Sequence, residues 1–299
     1  MKILVIGGSY FYGRVFVMQA VKEHDITVLN RGTYSMENLG VKQIKGDRRR
    51  EDLWKSITED YDIIVDFCAY NSGDIAKVLN HIKGNIKQYI LISTVDVYKR
   101  GIKGLKTEDT PFEQREFEEE VGKYITGKVA LEKEIVTECM QKDIEYTILR
   151  PAILYGPYNY APRESVYIKL LIQNHIIPHI NGATGKFQFV YIKDAAEAII
   201  RCLLNKITYG QSYNLCEKSI ITYDIFIETL KNVADLDYKE CNYTFQQAIN
   251  EGIPLPFPVL EEESELYTNE KSEHELKLKY TSFLQGLAKT YSAFKNVYI

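Results

Sequence analysis

Tyr124 and Lys128 are the residues of this sequence whose types and spacing most directly suggest chemistry. They stand four residues apart in the segment YITGK, within a helical pattern that continues to Ile135. In a helix this spacing places the phenol and the ammonium on one face, about 5–6 Å apart at their Cβ atoms. A nearby cation favours phenolate, so we expect Lys128 to lower the pKa of Tyr124 toward that of a general acid and base. Taken alone, the motif also fits a surface pair.

A hydroxyl residue, Thr94, ends the fifth predicted strand, in the run STVDVY at residues 93–98. The active sites of α/β proteins lie at the carboxyl edge of their parallel sheets. The position of Thr94 in the predicted fold is therefore that of an active-site residue.

A glycine-rich turn, GGSYFYG at residues 7–13, directly follows the first predicted strand and precedes a helical pattern. Glycines there permit a tight turn, and the N-terminus of the following helix offers free N–H groups to a pyrophosphate. An ordinary glycine turn fits the same residues. The residues predicted to bind a dinucleotide here are Gly7, Gly8, Ser9, Tyr10, Phe11 and Gly13.

The end of the second predicted strand bears on the choice between NAD and NADP. An NAD-selective site usually has an acidic residue there for the ribose 2′-hydroxyl, whereas this sequence has Asn30 and Arg31. Asn30 does not repel a 2′-phosphate and Arg31 can pair with one, so we lean toward NADP; a solvated loop cation fits Arg31 equally well. After the third predicted strand, Asp47 and Arg48 are expected near the adenine, with loop capping as the alternative for Asp47.

The elements that position these residues alternate between short aliphatic runs and helical patterns. Such alternation predicts βαβ units and a doubly wound parallel sheet, the Rossmann architecture. The predicted strands are Ile3 to Ile6, Ile26 to Leu29, Val41 to Ile44, Ile63 to Val65, Tyr89 to Ile92 and Tyr146 to Leu149.

The second half of the chain is less regular. It predicts a helix from Glu164 to Gln173, a strand from Phe189 to Ile192 and a helix from Asp194 to Leu204. The proline-rich segment GIPLPFPVLEEESE, residues 252–265, is interpreted as an irregular surface segment. We expect a dinucleotide-binding domain at residues 1–160 with a return segment at about 187–215, and a substrate-binding lobe at 161–186 and 216–299.

Five segments together resemble the extended short-chain dehydrogenase/reductase family. They are the glycine turn, STVDVY against the family's SSxxVY, YITGK, LRPAILYGP and FVYIKDAA. Tyr10 stands where the family's GxxGxxG turn has its middle glycine. Within the family, LNRG, GDRR and VDFCAY look most like a bacterial subgroup called NAD-dependent epimerase/dehydratase, which is also similar to the chloroplast stem-loop RNA-binding proteins.

The resemblance implies a nicotinamide cofactor and a catalytic group of Thr94, Tyr124 and Lys128. Thr94 would orient the substrate oxygen, Tyr124 would exchange its proton, and Lys128 would hold a ribose hydroxyl. It also implies cofactor contacts at the ends of later strands, by Cys68, Ala69, Ser93 and Pro151.

Substrate contacts are expected from Arg163 and Phe187. Arg163 follows YGPYNYAP and can bind an anionic group, although a surface cation fits it as well. Phe187 stands where sugar-nucleotide epimerases usually carry a phosphate-binding arginine, so uncharged or non-nucleotide sugars enter consideration. The predicted function is an NAD(P)-dependent sugar or sugar-nucleotide epimerase, dehydratase or reductase. The alternatives are a non-catalytic RNA-binding protein and a dinucleotide sensor on the same scaffold.

Composition limits the classes of binding partner and the cellular compartment that we expect. The net charge of −4 gives no global reason to expect nucleic acid, although Arg48-Arg49-Arg50 is a local basic run. Five scattered cysteines predict reduced thiols and a cytoplasmic protein, and the five histidines show no metal-ligand spacing. No run is long enough to span a membrane, and the family resemblance suggests a homodimer.

Overall fold

The computed structural model describes residues 1–115, 119–159 and 161–298. Its strands are β1 (Lys2–Ile6), β2 (Asp25–Asn30), β3 (Lys42–Lys45), β4 (Tyr61–Asp66), β5 (Ile86–Ile92), β6 (Leu105–Lys106), β7 (Glu145–Pro151), β8 (Ile153–Tyr155), β9 (Ile176–Asn181), β10 (Phe189–Tyr191), β11 (Gln211–Leu215), β12 (Lys239–Thr244) and β13 (Leu266–Tyr267). Its helices are α1 (Phe11–Ala20), α2 (Glu51–Ser56), α3 (Asp74–His81), α4 (Glu120–Gln141), α5 (Glu164–Asn174), α6 (Ile192–Cys202), α7 (Tyr223–Val233), α8 (Phe245–Asn250), α9 (Glu270–Glu275) and α10 (Phe283–Tyr298).

A seven-stranded parallel sheet forms the centre of the fold, in the order β11-β7-β5-β4-β1-β2-β3. The strand order reverses between β1 and β4, which opens a crevice at the carboxyl ends of these strands. The doubly wound fold predicted from the sequence is confirmed. The predicted strands agree with the observed ones to within a few residues at their ends.

The alternation of side chains along β1 shows how the sheet is covered on both faces. Ile3 and Val5 belong to one buried cluster with residues of α1 and α6. Leu4 and Ile6 belong to a second cluster with residues of α2, α3 and α4. Because successive strand residues point to opposite faces, a fully apolar strand is what a sheet covered on both sides requires.

The second half of the chain departs from prediction mainly in one segment. Residues 252–265 do not lie wholly on the surface, because Phe257 and Val259 are buried in the core. Phe257 stacks on Phe187, with their ring centroids 4.7 Å apart, and this burial was not readable from a proline-rich, acidic segment. The predicted strand at 189–192 ends at Tyr191, and α6 begins two residues earlier than expected.

No helix within residues 1–115, 119–159 and 161–298 combines the length and the apolar character needed to cross a membrane.

Candidate active site

A cavity of about 1110 Å³ lies along the carboxyl ends of the central strands. Every residue predicted for the site from the sequence lines it, with the exception of Ala69. The side chain of Ala69 is fully buried, and its carbonyl accepts a hydrogen bond from Lys128 on α4. The segment that was interpreted as surface also contributes to the wall, through Pro256, Pro258, Glu263 and Glu265.

The turn between β1 and α1 requires its glycines. Gly7 and Gly8 have φ values of 91° and 73°, in the left-handed region that favours glycine. A Cβ on Gly13 would lie 2.3 Å from the Cα of Gly8, so the helix and the turn can approach each other only without a side chain. Tyr10, at the position of the family's middle glycine, is 45% exposed and its ring contacts Tyr34. Tyr10 therefore stands at the mouth of the cavity.

The N-terminus of α1 fits a dinucleotide pyrophosphate. Its N-cap residue, Tyr10, has no side-chain capping hydrogen bond, and its first turn carries no acidic residue. The positive end of the helix dipole is therefore not compensated by the helix's own side chains. Together with the glycine turn, which a single Cβ would fill, this is the backbone arrangement that binds phosphates in Rossmann folds.

Asn30 is a structural link at the end of β2. Its amide nitrogen donates to the Ser9 hydroxyl at 2.6 Å, while its oxygen accepts from Gly32 N at 2.8 Å and from Gln43 at 2.7 Å. These bonds occupy the Asn30 amide and hold Ser9 in the glycine turn. The neighbouring Arg31 is exposed and lines the cavity, near enough to Asp47 for its charge to help lower the pKa of that carboxyl.

Asp47 and Arg48 are held by different partners. Hydrogen bonds from Arg49 keep the pKa of Asp47 well below its usual range. Arg48 donates to both carboxylate oxygens of Asp66, at 2.7 and 2.9 Å, and Asp66 is fully buried. Arg48 thus closes the floor of the cavity beside Cys68, whose pKa burial raises to about 12.

Lys128 is buried under the cavity floor. Its ammonium donates to the carbonyl of Ala69, in the loop after β4, and to that of Ile92, the last residue of β5, both at 2.8 Å. An ammonium has three N–H donors, so one remains for a ligand hydroxyl. Burial lowers the pKa of Lys128 to about 8, against the opposing effect of the Asp66 charge.

Tyr124 lies on the same helix face as Lys128, as the four-residue spacing predicts. The ammonium is 5.8 Å from the centre of the Tyr124 ring. The expected lowering of the tyrosine pKa is wrong for this state of the site: burial and the nearby Asp96 raise the pKa of Tyr124 above its usual value. The Lys128 ammonium donates to two backbone carbonyls and does not appear among the groups that lower the pKa of Tyr124. The negative charge of Asp96, by contrast, disfavours the phenolate.

Asp96 is a residue that the sequence analysis passed over. The Thr94 hydroxyl donates to Asp96 Oδ2 at 3.0 Å and accepts from Asp96 N at 3.2 Å, so Thr94 caps the short 3₁₀ turn that follows β5. Asp96 lines the cavity. The available signal was its position two residues after Thr94, the usual spacing of a side chain that caps its own turn.

Tyr70 is the second residue that was missed. Its ring lies 4.9 Å from the Lys128 ammonium and 6.2 Å from the Tyr124 ring. Asp74 fixes the loop by accepting from the backbone N–H groups of Tyr70 and Asn71. The Tyr70 carbonyl would be only 2.1 Å from a Cβ on Gly127, so the loop presses on α4 at a glycine.

The remaining predicted residues differ in what they can do. Ser93 donates to Glu132, which also pairs with Arg150, so its hydroxyl anchors α4 to the sheet. Arg163 lies near enough to Tyr124 for its charge to lower the phenol's pKa slightly against the larger raising effects. Phe187 is only 2% exposed and packs among aromatic rings. It therefore forms an apolar wall at the position where the sequence comparison placed a phosphate-binding arginine in sugar-nucleotide epimerases.

Comparison with known proteins gives a family for part of the chain. Residues 74–216 match the model of the NAD dependent epimerase/dehydratase family. A relative by sequence is the chloroplast stem-loop binding protein of 41 kDa b from Arabidopsis thaliana, 27% identical over 240 residues. That match covers 75% of this chain but only 60% of the relative's length.

Solved structures share the fold over the whole chain. UDP-glucose 4-epimerase from Thermotoga maritima, solved with UDP-glucose, is 18% identical with a TM-score of 0.82, and the match covers 99% of both chains. UDP-glucuronic acid 4-epimerase from Bacillus cereus, in complex with UDP-glucuronic acid and NAD, is 18% identical with a TM-score of 0.77 and full coverage of both chains. At this identity the likeness shows the fold.

Proposed function

Residues 74–216 belong to the NAD dependent epimerase/dehydratase family, and from that premise we propose that this protein oxidises or reduces a sugar carbon, leading to epimerisation, dehydration or reduction. The family model that matches residues 74–216 is the one that the sequence resemblance predicted, and an NAD-dependent epimerase, dehydratase or related oxidoreductase is the activity that this match supports. The observation that carries the proposal is that one cavity holds the glycine turn together with Thr94, Tyr124 and Lys128.

Each of the three residues has a distinct role in the proposed reaction. A nicotinamide cofactor, when bound, accepts or donates a hydride. Tyr124 takes up or returns the proton of the substrate hydroxyl, as a general acid and base positioned on α4. Lys128, fixed by two strand-end carbonyls, offers its third N–H to a ribose hydroxyl. Thr94 orients the substrate oxygen beside Tyr124.

We lean toward NADP(H) as the cofactor. Asn30 is neutral, and Arg31 is an exposed cation on the cavity wall. The nearest carboxylate on the adjoining loop, Asp47, is occupied by Arg49. A 2′-phosphate would therefore meet positive charge rather than an acid, which favours NADP(H) over NAD(H). The Bacillus cereus neighbour was solved with NAD, so both cofactors belong in the test.

The substrate is proposed to be a sugar or a nucleotide sugar. Phe187, stacked on Phe257, gives this part of the cavity an apolar wall that carries no charge for a phosphate. Arg163 supplies a cation on the same side of the cavity for a carboxylate or phosphate. An uncharged or non-nucleotide sugar fits the wall at Phe187, and a nucleotide sugar requires its phosphates to be held by other residues.

RNA binding, the alternative suggested by the plant relative, is disfavoured by the charges. The basic run at residues 48–50 is neutralised within the protein: Arg48 pairs with Asp66, Arg49 with Asp47, and Arg50 with Asp52. Lys106 is likewise buried and pairs with Glu265. Paired cations release few counterions on binding a phosphate backbone.

Two further expectations belong to the proposal. All five cysteines are free thiols, which a reducing cytoplasm would maintain. A homodimer through α4 is in line with the exposed side chains of Val121 and Met140 on that helix. Light scattering of the parent and of a Met140→Glu variant would test the dimer.

The experiment that tests the function has two steps. The purified protein is denatured and any released ligand is identified by mass spectrometry, with NADP(H) as the expected ligand. Single-turnover reduction of the cofactor is then followed by absorbance with UDP-glucose, UDP-glucuronic acid, dTDP-glucose and the corresponding free sugars. Turnover of any of them supports the proposal. Absence of turnover, together with salt-sensitive retention on RNA, would favour the non-catalytic alternative.

A further inference from the structure

Three hydrogen bonds lead from the loop after β2, by way of β3, to the glycine turn. The buried Met36 donates its backbone N–H to Gln43 Oε1 at 3.3 Å, and Gln43 Nε2 donates to Asn30 Oδ1 at 2.7 Å. Asn30 Nδ2 in turn donates to Ser9 Oγ at 2.6 Å. Each residue thus donates to the next, and the series ends at the Ser9 hydroxyl.

Two backbone N–H groups fix the orientation of both amides. A backbone nitrogen can only donate, so the Asn30 atom that meets Gly32 N at 2.8 Å must be the oxygen. For the same reason the Gln43 atom that meets Met36 N must be the oxygen. The nitrogen of Asn30 then faces Ser9. The direction of the series therefore follows from donors that the main chain holds in place.

The Ser9 hydroxyl is left as a donor. It has one hydrogen and two lone pairs, and Asn30 occupies one lone pair. Within residues 1–115, 119–159 and 161–298 it makes no further hydrogen bond, so its hydrogen is available to a ligand in the cavity that Ser9 lines. Because hydrogen bonds in a chain polarise one another, the series behind Ser9 strengthens this last donor.

The same bonds leave Asn30 unable to accept from a ligand. An amide oxygen has two lone pairs, and Gly32 N and Gln43 Nε2 fill both. A ribose 2′-hydroxyl has a hydrogen to donate, and Asn30 has no lone pair left for it. A 2′-phosphate, by contrast, offers acceptor oxygens and negative charge. It would meet the Ser9 hydroxyl and the exposed Arg31 on the same wall of the cavity.

We propose that Ser9 is a specificity-determining residue for the cofactor, whose hydroxyl donates to a 2′-phosphate because the hydrogen bond from Asn30 leaves its hydrogen free. Ser9 contacts the cofactor, whereas Asn30 and Gln43 act through it as positioning residues. This role of Ser9 rests on the proposed function, because it requires a nicotinamide dinucleotide at the glycine turn. The preference for NADP(H) then has a directed hydrogen bond as its source, in addition to the charge of Arg31.

Ser9→Ala removes the hydroxyl and tests the contact itself. We expect it to bind NADP⁺ about tenfold more weakly than the parent, the lower end for a hydrogen bond to a charged group, and to bind NAD⁺ within about twofold of the parent. Calorimetry of the full chain with both dinucleotides measures the two affinities. Equal losses for NADP⁺ and NAD⁺, or no loss for either, would overturn the role of Ser9.

Ser35→Ala is the matched control for Ser9→Ala. The Ser35 hydroxyl also accepts one N–H, from Glu37 at 3.3 Å, and Ser35 is not among the residues that line the cavity. Ser35→Ala should therefore bind both dinucleotides like the parent. A loss of NADP⁺ affinity in Ser35→Ala as large as that in Ser9→Ala would count against a specific contact at Ser9.

Asn30→Asp reverses the last hydrogen bond while it keeps the shape of the side chain. One carboxylate oxygen can still accept from Gly32 and Gln43, and the other accepts the Ser9 hydrogen. The hydroxyl then has no hydrogen for a phosphate. Ser9→Ala should therefore weaken NADP⁺ binding about tenfold in the parent but less than about twofold in the Asn30→Asp background, because the two residues are coupled. The same loss in both backgrounds would refute the direction assigned to the Ser9 hydrogen.

Phosphorus-31 NMR observes the 2′-phosphate directly and needs no turnover. A phosphate monoester has a second pKa of about 6, and a donor to its oxygens favours the dianion and lowers that pKa. We expect the 2′-phosphate of NADP⁺ to titrate at a lower pH when it is bound to the parent than when it is bound to Ser9→Ala. Identical titrations in the two complexes would show that the Ser9 hydroxyl does not contact the phosphate.

The dinucleotide titrations separate the role of Ser9 from the proposed function. If NAD⁺ and NADP⁺ both bind the parent and Ser9→Ala leaves the ratio of their affinities unchanged, the dinucleotide site stands and the role of Ser9 is rejected. If neither dinucleotide binds the parent, the proposed function fails, and the role of Ser9 fails with it.

Discussion

The two halves of the cavity are built in different ways. In the half at the glycine turn, where we propose that the cofactor binds, backbone conformation does most of the shaping, through Gly7, Gly8 and the close approach of Gly13 to Gly8. In the other half, where we propose that the substrate binds, side chains such as Tyr124 and Asp96 keep part of their surface exposed. The shape of the first half therefore depends on glycines that lack a Cβ, and the chemistry of the second half depends on its polar side chains. Variants of the two halves should consequently fail in different ways.

The largest effect is expected in the substrate half, at Tyr124. Tyr124→Phe keeps the ring but removes the proton-transfer group, so turnover should fall by about 10²- to 10⁴-fold. Cofactor affinity should stay near that of the parent, because the phenol's role is chemical. Single-turnover kinetics and calorimetry on the same preparation would measure both. A parent rate in Tyr124→Phe would remove the catalytic assignment.

A loss of both cofactor binding and turnover is expected at Lys128, which lies between the two halves. Lys128→Met should weaken cofactor binding by about 10- to 100-fold, the range of one hydrogen bond to a charged group, and should reduce turnover as well. Because the pKa of Lys128 is lowered to about 8, the ammonium is lost as the pH rises through that value. Cofactor affinity of the parent should therefore be full below pH 8 and decline above it, toward that of Lys128→Met. Calorimetry across this range checks it; a pH-independent parent would contradict it.

A smaller but more selective effect is expected at Gly13. In Gly13→Ala, the new Cβ would overlap the Gly8 backbone, which cannot turn aside as a side chain can. Overpacking of this kind costs about 1–3 kcal/mol in the free energy of unfolding, and the displaced turn should also bind the cofactor about tenfold more weakly.

Gly40→Ala is the matched control for Gly13→Ala. Gly40 has a φ of 76°, and a Cβ there meets nothing within 4 Å. It should therefore lose about 1–2 kcal/mol from strain alone and bind the cofactor like the parent. Thermal unfolding with and without NADP(H) separates the two variants. Equal cofactor binding by Gly13→Ala and the parent would show that the turn does not cradle the cofactor.

The difference between the halves also explains what the sequence could predict. The glycine turn and the Tyr124–Lys128 spacing are local patterns, and each maps directly onto the strand end or helix that carries it. The raised pKa of Tyr124 depends on the partial burial of its phenol and on the charge of Asp96, and the wall at Phe257 depends on contacts between distant segments. No pattern along residues 252–265 indicates that Phe257 stacks on Phe187. The fold and the meeting of Thr94, Tyr124 and Lys128 in one cavity were therefore predictable, whereas the surroundings of these residues were not.

The contribution of Arg31 to the preference for NADP(H) comes from one exposed cation and should be modest. Arg31→Ala should weaken NADP(H) binding by about two- to tenfold, the usual range for an exposed charge pair, and leave NAD(H) binding unchanged. Arg50 is a nearby exposed arginine that pairs with Asp52 and does not line the cavity, so Arg50→Ala should bind both cofactors like the parent. Calorimetry with both cofactors is the measurement. Tighter binding of NAD(H) by the parent would reject the preference.

The smallest effect is expected at Tyr70, where the ring and its hydroxyl can be tested separately. The ring lies 4.9 Å from the buried ammonium of Lys128, and because Tyr70 is itself 46% exposed, we take this cation–π contact to contribute about 1.4 kcal/mol, between the values for exposed and desolvated pairs. Loss of the ring in Tyr70→Leu should lower the pKa of Lys128 by about one unit, since one unit corresponds to 1.36 kcal/mol. The ammonium fraction near pH 7.5, and with it cofactor affinity, should fall about threefold, and the difference should disappear at lower pH. Tyr70→Phe keeps the ring and should behave like the parent in this respect.

Tyr158, an exposed tyrosine 5.7 Å from the Arg14 guanidinium, provides the control, because Tyr158→Leu removes a similar contact that does not involve Lys128. If Tyr70→Leu and Tyr158→Leu show the same pH dependence of cofactor binding, the ammonium is held by the Ala69 and Ile92 carbonyls alone, and the loop at Tyr70 serves only to close the cavity wall.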